Sequence, residues 1–240
     1  MNHPKNIIII GATSGIGKEL ALLYLKNGDN VGITGRRQNL LNELRQQYPQ
    51  QVVTACFDVM GNENIHHLEQ LVQQLGGLDI FIYNSGFGDI SENIDAAIDD
   101  TTIKTNVNGF AQMTGWVFNW FCEKGEGQIA ATSSVSANRG NSFAPAYSAS
   151  KAFMSNYMEG LHLKNRRLKK NIAITDIQPG FVSTKMAKGK QFWVSSPGKA
   201  AKQIYTAITR RKRKAYITRR WWLIAFLMKR MPYFIYRNIG

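Results

Sequence analysis

Tyr147 and Lys151, four residues apart, carry the strongest chemical signal in the sequence. On a helix that spacing places both side chains on one face. A cation beside a phenol stabilises the phenolate and draws its pKa down from about 10, so the hydroxyl becomes a usable acid near neutral pH. Ser134 lies 13 residues before Tyr147, at the end of a strand-like run. A hydroxyl there would orient a carbonyl oxygen, and the neighbouring Ser133 competes for the role on type but not on spacing. Each residue is bland alone, since a Tyr-x-x-x-Lys pair on a helix is usually solvated surface. His3, His66, His67 and His162 have no ligand spacing, so no metal is expected. Cys56 and Cys122 read as core or structural residues.

A second site is written in glycines. The apolar run Ile7–Ile10 leads straight into Gly11-Ala12-Thr13-Ser14-Gly15-Ile16-Gly17, and a helical pattern follows. Glycines allow a tight turn and let a pyrophosphate approach the backbone, while the helix N-terminus offers free N–H groups and a favourable dipole. About 20 residues later, where an acidic residue would select NAD through the ribose 2′-hydroxyl, this chain has Gly35-Arg36-Arg37. Two guanidinium groups suit a 2′-phosphate, so the expected cofactor is NADP(H). The alternative is a solvated pair of surface arginines.

The elements that must position these groups alternate. Strands are predicted over Ile7–Ile10, Val31–Thr34, Val52–Phe57, Leu78–Tyr83, Gln128–Thr132, Ile172–Ile177 and Ala215–Thr218. Helices are predicted over residues 15–27, Leu40–Tyr48, Ile65–Leu75, Ile98–Phe121, Tyr147–Leu168 and from Ser196-Pro197 to about Arg211. Strands alternating with helices imply an α/β fold: one domain, a doubly wound parallel seven-stranded sheet with helices on both faces. Ligands bind such sheets at the carboxyl ends of the strands.

Together these pieces resemble the short-chain dehydrogenase/reductase family over about residues 5–220. In order they are Gly11/Gly15/Gly17, Asp58, Asn84-Ser85-Gly86, Asn106 in Asn-Val-Asn-Gly, Ser134 in Ser-Ser-Val-Ser, Tyr147-x-x-x-Lys151 and Pro179-Gly180-Phe181-Val182-Ser183-Thr184. Ser85 departs from the alanine that is usual in the third motif. The resemblance implies that Tyr147 donates a proton to the substrate oxygen, Ser134 hydrogen-bonds that oxygen, and Lys151 tunes Tyr147 and holds the nicotinamide ribose. It implies that Asn106 holds a water in a proton relay. Asp58 would bind the adenine. The implied cofactor contacts also include Thr13, Ser14, Ile16, Val59, Asn84, Gly86, Pro179, Gly180, Val182 and Thr184. Residues 185–195, with Met186, Phe192, Trp193 and Val194, would overhang the substrate pocket, and Ser136 would line it. The family also implies a homodimer or homotetramer built on the two long helices.

The 240 residues carry a net charge of +14 that is unevenly spread. Residues 1–176 hold 15 basic and 16 acidic side chains, whereas 177–240 hold 15 basic and none acidic. The chain divides into a catalytic domain, 1–218, and a basic, aromatic segment, 219–240, in which cations bracket Trp221–Met228 and the run after Pro232. Eight apolar residues are too few for the roughly 18 that a span requires, so an interfacial contact with an anionic membrane is expected. The same residues would also serve as a pocket lid or a subunit contact. Nucleic-acid binding fits poorly, because Leu223–Met228 is apolar. Two cysteines and a short polar start predict a reducing, cytoplasmic setting with no signal peptide. The chemistry expected is reduction of a ketone or aldehyde, or the reverse, on a hydrophobic or lipid-like substrate. The competing class is a catalytically silent NADP(H)-sensing adaptor at a membrane. Nothing suggests the separate substrate domain of a nucleotide-sugar epimerase.

Overall fold

The computed structural model describes residues 3–184 and 192–237. Met186 therefore lies outside the described residues. Seven parallel strands, β1 (Asn6–Ile10), β2 (Asn30–Gly35), β3 (Val52–Cys56), β4 (Ile80–Tyr83), β5 (Glu126–Thr132), β6 (Asn171–Pro179) and β7 (Lys214–Ile217), form one sheet in the order β3-β2-β1-β4-β5-β6-β7. The helices are α1 (Gly15–Lys26), α2 (Gln38–Gln47), α3 (Asn64–Leu75), α4 (Ala96–Ile103), α5 (Phe110–Lys124), α6 (Pro145–Leu168), α7 (Pro197–Thr209), α8 (Trp221–Arg230) and the single turn α9 (Tyr233–Tyr236).

The continuous isoleucine run of β1 follows from burial on both faces. Ile7 and Ile9 face a core built with Leu20, Leu41 and Ile204 of α1, α2 and α7. Ile8 and Ile10 face the opposite core, with Leu68, Phe118 and Met154 of α3, α5 and α6. Strand order reverses between β2-β1 and β1-β4, which opens a crevice at the carboxyl end of β1. The register Ile9↔Ile82 and Ile10↔Tyr83 then carries Asn84 to the mouth of that crevice, where its N–H donates to Ile10 O at 3.0 Å.

Two expectations are corrected here. The single long helix predicted over Ile98–Phe121 is α4 and α5 joined by a π-helical segment, Lys104–Gly109. An apolar pattern with a period near 3.6 reads straight through such an inserted residue, so the sequence hides it. Cys56 is exposed rather than part of the core, because β3 is the edge strand and Cys56 ends it.

Candidate active site at the carboxyl edge of the sheet

The turn after β1 is shaped by two left-handed glycines, Gly11 at φ +82° and Gly15 at φ +58°. Close packing fixes a third, Gly17, where a Cβ would stand 2.1 Å from Gly11 O. Asn84 Nδ2 donates to the same carbonyl at 3.1 Å and Thr132 Oγ1 donates to Asn84 Oδ1, so β1, β4 and β5 are tied at their ends. Ile16 and Val59 are buried. Gly86 is half-buried in the loop after β4. Thr184 comes within 3.2 Å of where a Gly15 Cβ would be, so the Pro179–Thr184 segment closes over the glycine turn. Val182 forms a parallel bridge with Ser195, whose carbonyl accepts from Ser183 N–H and whose N–H donates to Phe181 O, and these bonds hold this strap.

The two arginines after β2 lie at the far end of this crevice. Arg37 Nη2 donates to Thr13 Oγ1 at 2.6 Å and to Ser14 Oγ at 2.8 Å. Arg36 is more exposed and pairs with Asp58 at 3.4 Å. Both guanidinium groups thus border the glycine turn.

The reactive groups stand at the ends of β5 and α6. Pro145 occupies the first turn of α6, where its fixed φ suits a helix start. One turn on, Tyr147 hydrogen-bonds to Ser134, a contact that lowers the phenol's pKa while burial raises it more. The net direction is upward, against the lowering expected from Lys151, because desolvation is the largest influence. Tyr147 is therefore a protonated donor at neutral pH. Lys151 is buried and its Nζ sits 5.7 Å from the centre of the Tyr147 ring. It donates to Thr132 O at 3.0 Å. Burial draws its pKa down to about 8, with a smaller upward pull from Asp176.

Of the paired serines, Ser133 is turned into the protein. Its Oγ donates to Asp176 Oδ1 at 2.5 Å, leaving Ser134 for Tyr147. Ser136 N–H donates to Ser134 Oγ at 3.1 Å. Asp176, buried in β6, also accepts from Ser155 and Gln178 and pairs with Lys214 at 3.2 Å. Sequence reasoning missed this carboxylate, whose only signal was an acidic residue inside a strand buried on both faces.

Asn106 sits fully buried in the π segment. Its amide donates to Phe87 O at 2.7 Å and Ser150 Oγ at 2.9 Å, and its Oδ1 accepts from Phe87 N–H at 2.9 Å. Ser150 Oγ in turn donates to Tyr147 O. The side chain thus clamps the loop after β4 against the turn carrying Tyr147. That loop holds Gly88, also missed, where a Cβ would stand 2.2 Å from Tyr147 Cδ2. A cleft beside Tyr147 is lined by Asp89, Ile94, Ile98, Phe143 and Pro145.

The described part of the C-terminal segment, residues 219–237, is docked beside this edge. Trp221 is buried, with its indole where a Gly180 Cβ would be, 2.0 Å from Cε2. It meets Phe181 and Phe192 with ring centres 5.3 and 5.2 Å apart. Arg139, just past Ser134, donates to Met228 O and Met231 O, and Tyr236 OH donates to Gly140 O.

The family model described as short chain dehydrogenase matches residues 5–194. An uncharacterized oxidoreductase of Myxococcus xanthus is 32% identical over 199 residues, 78% of this chain and 76% of that one. The NADP-dependent 3-hydroxy acid dehydrogenase YdfG of Salmonella typhi is 29% identical over 180 residues, 73% of this chain and 72% of the relative. Among solved structures, a short-chain dehydrogenase of Streptomyces avermitilis superposes with a TM-score of 0.81 at 22% identity, covering 98% of this chain and 95% of the other.

Proposed function

This chain belongs to the short-chain dehydrogenase family of oxidoreductases, and from that premise we propose that it interconverts a carbonyl and an alcohol with NADP(H), acting on a hydrophobic, lipid-like substrate. The observation that carries the reading is the Ser134–Tyr147–Lys151 group, assembled by the ends of β5 and α6 at the crevice. A protonated Tyr147 gives its proton to the carbonyl oxygen, and Ser134 donates a second hydrogen bond to the same atom. In the reverse direction Tyr147 takes the alcohol proton, and a charged Lys151 stabilises the phenolate that would do so.

The glycine turn fits a dinucleotide, since left-handed Gly11 and Gly15 turn the chain directly into the N-terminus of α1, whose free N–H groups suit a pyrophosphate. Gly11–Gly17, Asn84 and the Pro179–Thr184 strap would hold it, and when bound it supplies or accepts the hydride. Support for the 2′-phosphate comes from Arg36 and Arg37 beside Thr13 and Ser14, and from the NADP dependence named for the Salmonella relative. Support for an apolar substrate comes from Phe192, Trp193 and Val194, all exposed just before Ser195, the bridge partner of Val182. A dimer or tetramer would use α5 and α6, and on α6 Phe153 and Leu163 remain exposed.

The test is NADPH consumption by wild type and Tyr147→Phe against soluble ketones, aldehydes, quinones, 3-oxoacyl thioesters and long-chain ketones. Turnover should fall by about 10²–10⁴ in the variant while NADPH still binds. Equal consumption by both proteins for every carbonyl would overturn the reading.

A further inference from the structure

Residues 219–237 present an inverted amphipathic face. Trp221 and Ala225 of α8 are buried against the body, while Trp222, Leu223, Phe226 and Leu227 are exposed. Tyr233, Phe234 and Ile235 of α9 extend the exposed apolar surface. Phe192 and Trp193 join it through ring contacts to Trp221, with centres 5.2 and 6.1 Å apart. So large an apolar surface marks an interaction site.

Its charge says which kind. Arg219, Arg220, Lys229, Arg230 and Arg237 are exposed around it. Arg220 lies 4.9 Å over the Trp193 ring and Arg230 lies 4.0 Å over Phe226. Asp176 is the last acidic residue in the chain. A face of tryptophan, tyrosine and phenylalanine, carried on a segment whose charged residues are all cations, matches an anionic lipid surface: rings sit at headgroup depth and guanidinium groups meet phosphates. Among the described residues no helix is long and apolar enough to cross a bilayer, so the segment would lie on one.

We propose that α8, α9 and Phe192–Trp193 form a docking surface for an anionic bilayer, and that docking sets the catalytic crevice at the lipid surface so that its substrate is lipid-borne. The substrate part rests on the oxidoreductase reading; the docking part does not. The mechanical link is short. Trp221 packs on Gly180 in the strap, and Arg139 joins the far end of α8 to the turn that follows Ser134. The docked face is thereby fixed on both sides of the reactive groups.

The experiment is sedimentation of the full chain with vesicles of phosphatidylcholine alone or with added phosphatidylglycerol, at low and high salt. Wild type should bind only the anionic vesicles, more weakly as salt rises. Trp222→Ser with Phe226→Ser should weaken binding by about tenfold or more, with NADPH affinity and turnover of a water-soluble carbonyl unchanged. Undiminished binding by the double variant would overturn the proposal. So would a wild type that ignores vesicles but self-associates until the two substitutions separate it, which would assign the face to a second copy of the chain. Tyr147→Phe should bind vesicles like wild type. Loss of docking with intact Tyr147-dependent turnover defeats only the docking, and intact docking without such turnover defeats only the oxidoreductase reading.

Discussion

Lys151 donates its ammonium to the main-chain carbonyl of Thr132 at 3.0 Å, from a buried position one helical turn beyond Tyr147. A carbonyl is a weak counterweight for a desolvated cation, and the lysine pKa falls from 10.5 to about 8. Between those values the unfolded chain keeps a proton that the folded chain has released, so this contribution to stability rises with pH. Below about pH 8 the folded protein bears the full cost, about 3 kcal/mol. Lys151→Met removes that cost and leaves the Thr132 carbonyl short of a donor, at about 1–2 kcal/mol. The variant should therefore lose turnover yet be more stable than wild type by about 1–2 kcal/mol at neutral pH. Denaturant unfolding of the cofactor-free proteins across pH 7–10.5 checks this. The gain should shrink above pH 8, and a pH-independent difference would contradict the assignment of burial as its cause.

Arg37 is anchored by two hydroxyls of the glycine turn, whereas Arg36 reaches only Asp58 and is largely exposed. If both read a 2′-phosphate, Arg37 is the better organised. Arg37→Ala should raise the KM for NADPH by roughly 10–100-fold, the worth of one or two charge-assisted hydrogen bonds, and leave that for NADH nearly unchanged. Arg36→Asp should shift preference toward NADH. Steady-state kinetics with both cofactors decides the matter, because equal weakening of the two places the phosphate elsewhere.

The readable parts of the sequence were those where a local pattern mirrors a local cause. The isoleucines of β1 are buried on both faces, so the strand appears as an unbroken apolar run. The glycine turn and the Tyr147/Lys151 spacing are likewise local. Long-range closure was not readable. Asn106 could be named by resemblance, but its clamp on Phe87 depends on a π segment that no apolar period reveals. Asp176 gathers Ser133, Ser155 and Lys214 from distant parts of the chain, beside Gln178 of its own strand. In the tail, adjacent tryptophans are alike in sequence, yet Trp221 is buried and Trp222 is exposed. Only the packing of α8 on Gly180 tells them apart.

Gly88 leaves the space that the Tyr147 ring fills. A methyl at residue 88 must displace either that ring or the loop clamped by Asn106. With the loop held through three hydrogen bonds to Phe87 and Ser150, the ring is the softer partner. Gly88→Ala should lower kcat by about 10–100-fold, the effect of displacing a reacting group by about an ångström. NADPH affinity should be unaffected. An unchanged kcat would show that the loop yields instead.

Gly180 and Trp221 make a contact too close for any side chain at the glycine, with indole atoms from 2.0 Å of a built Cβ. Gly180→Ala should cost about 1–3 kcal/mol through overpacking. Trp221→Ala should cost about 3–5 kcal/mol, because a buried indole leaves a cavity. The two should not add. Once the indole is gone the Gly180 methyl has room, so Gly180→Ala should be nearly neutral in the Trp221→Ala background. A double-mutant cycle by denaturant unfolding therefore expects a coupling of about 1–3 kcal/mol. Additivity would mean that α8 does not rest on the strap, and the link from the tail to the crevice would then be left to the Arg139 contacts.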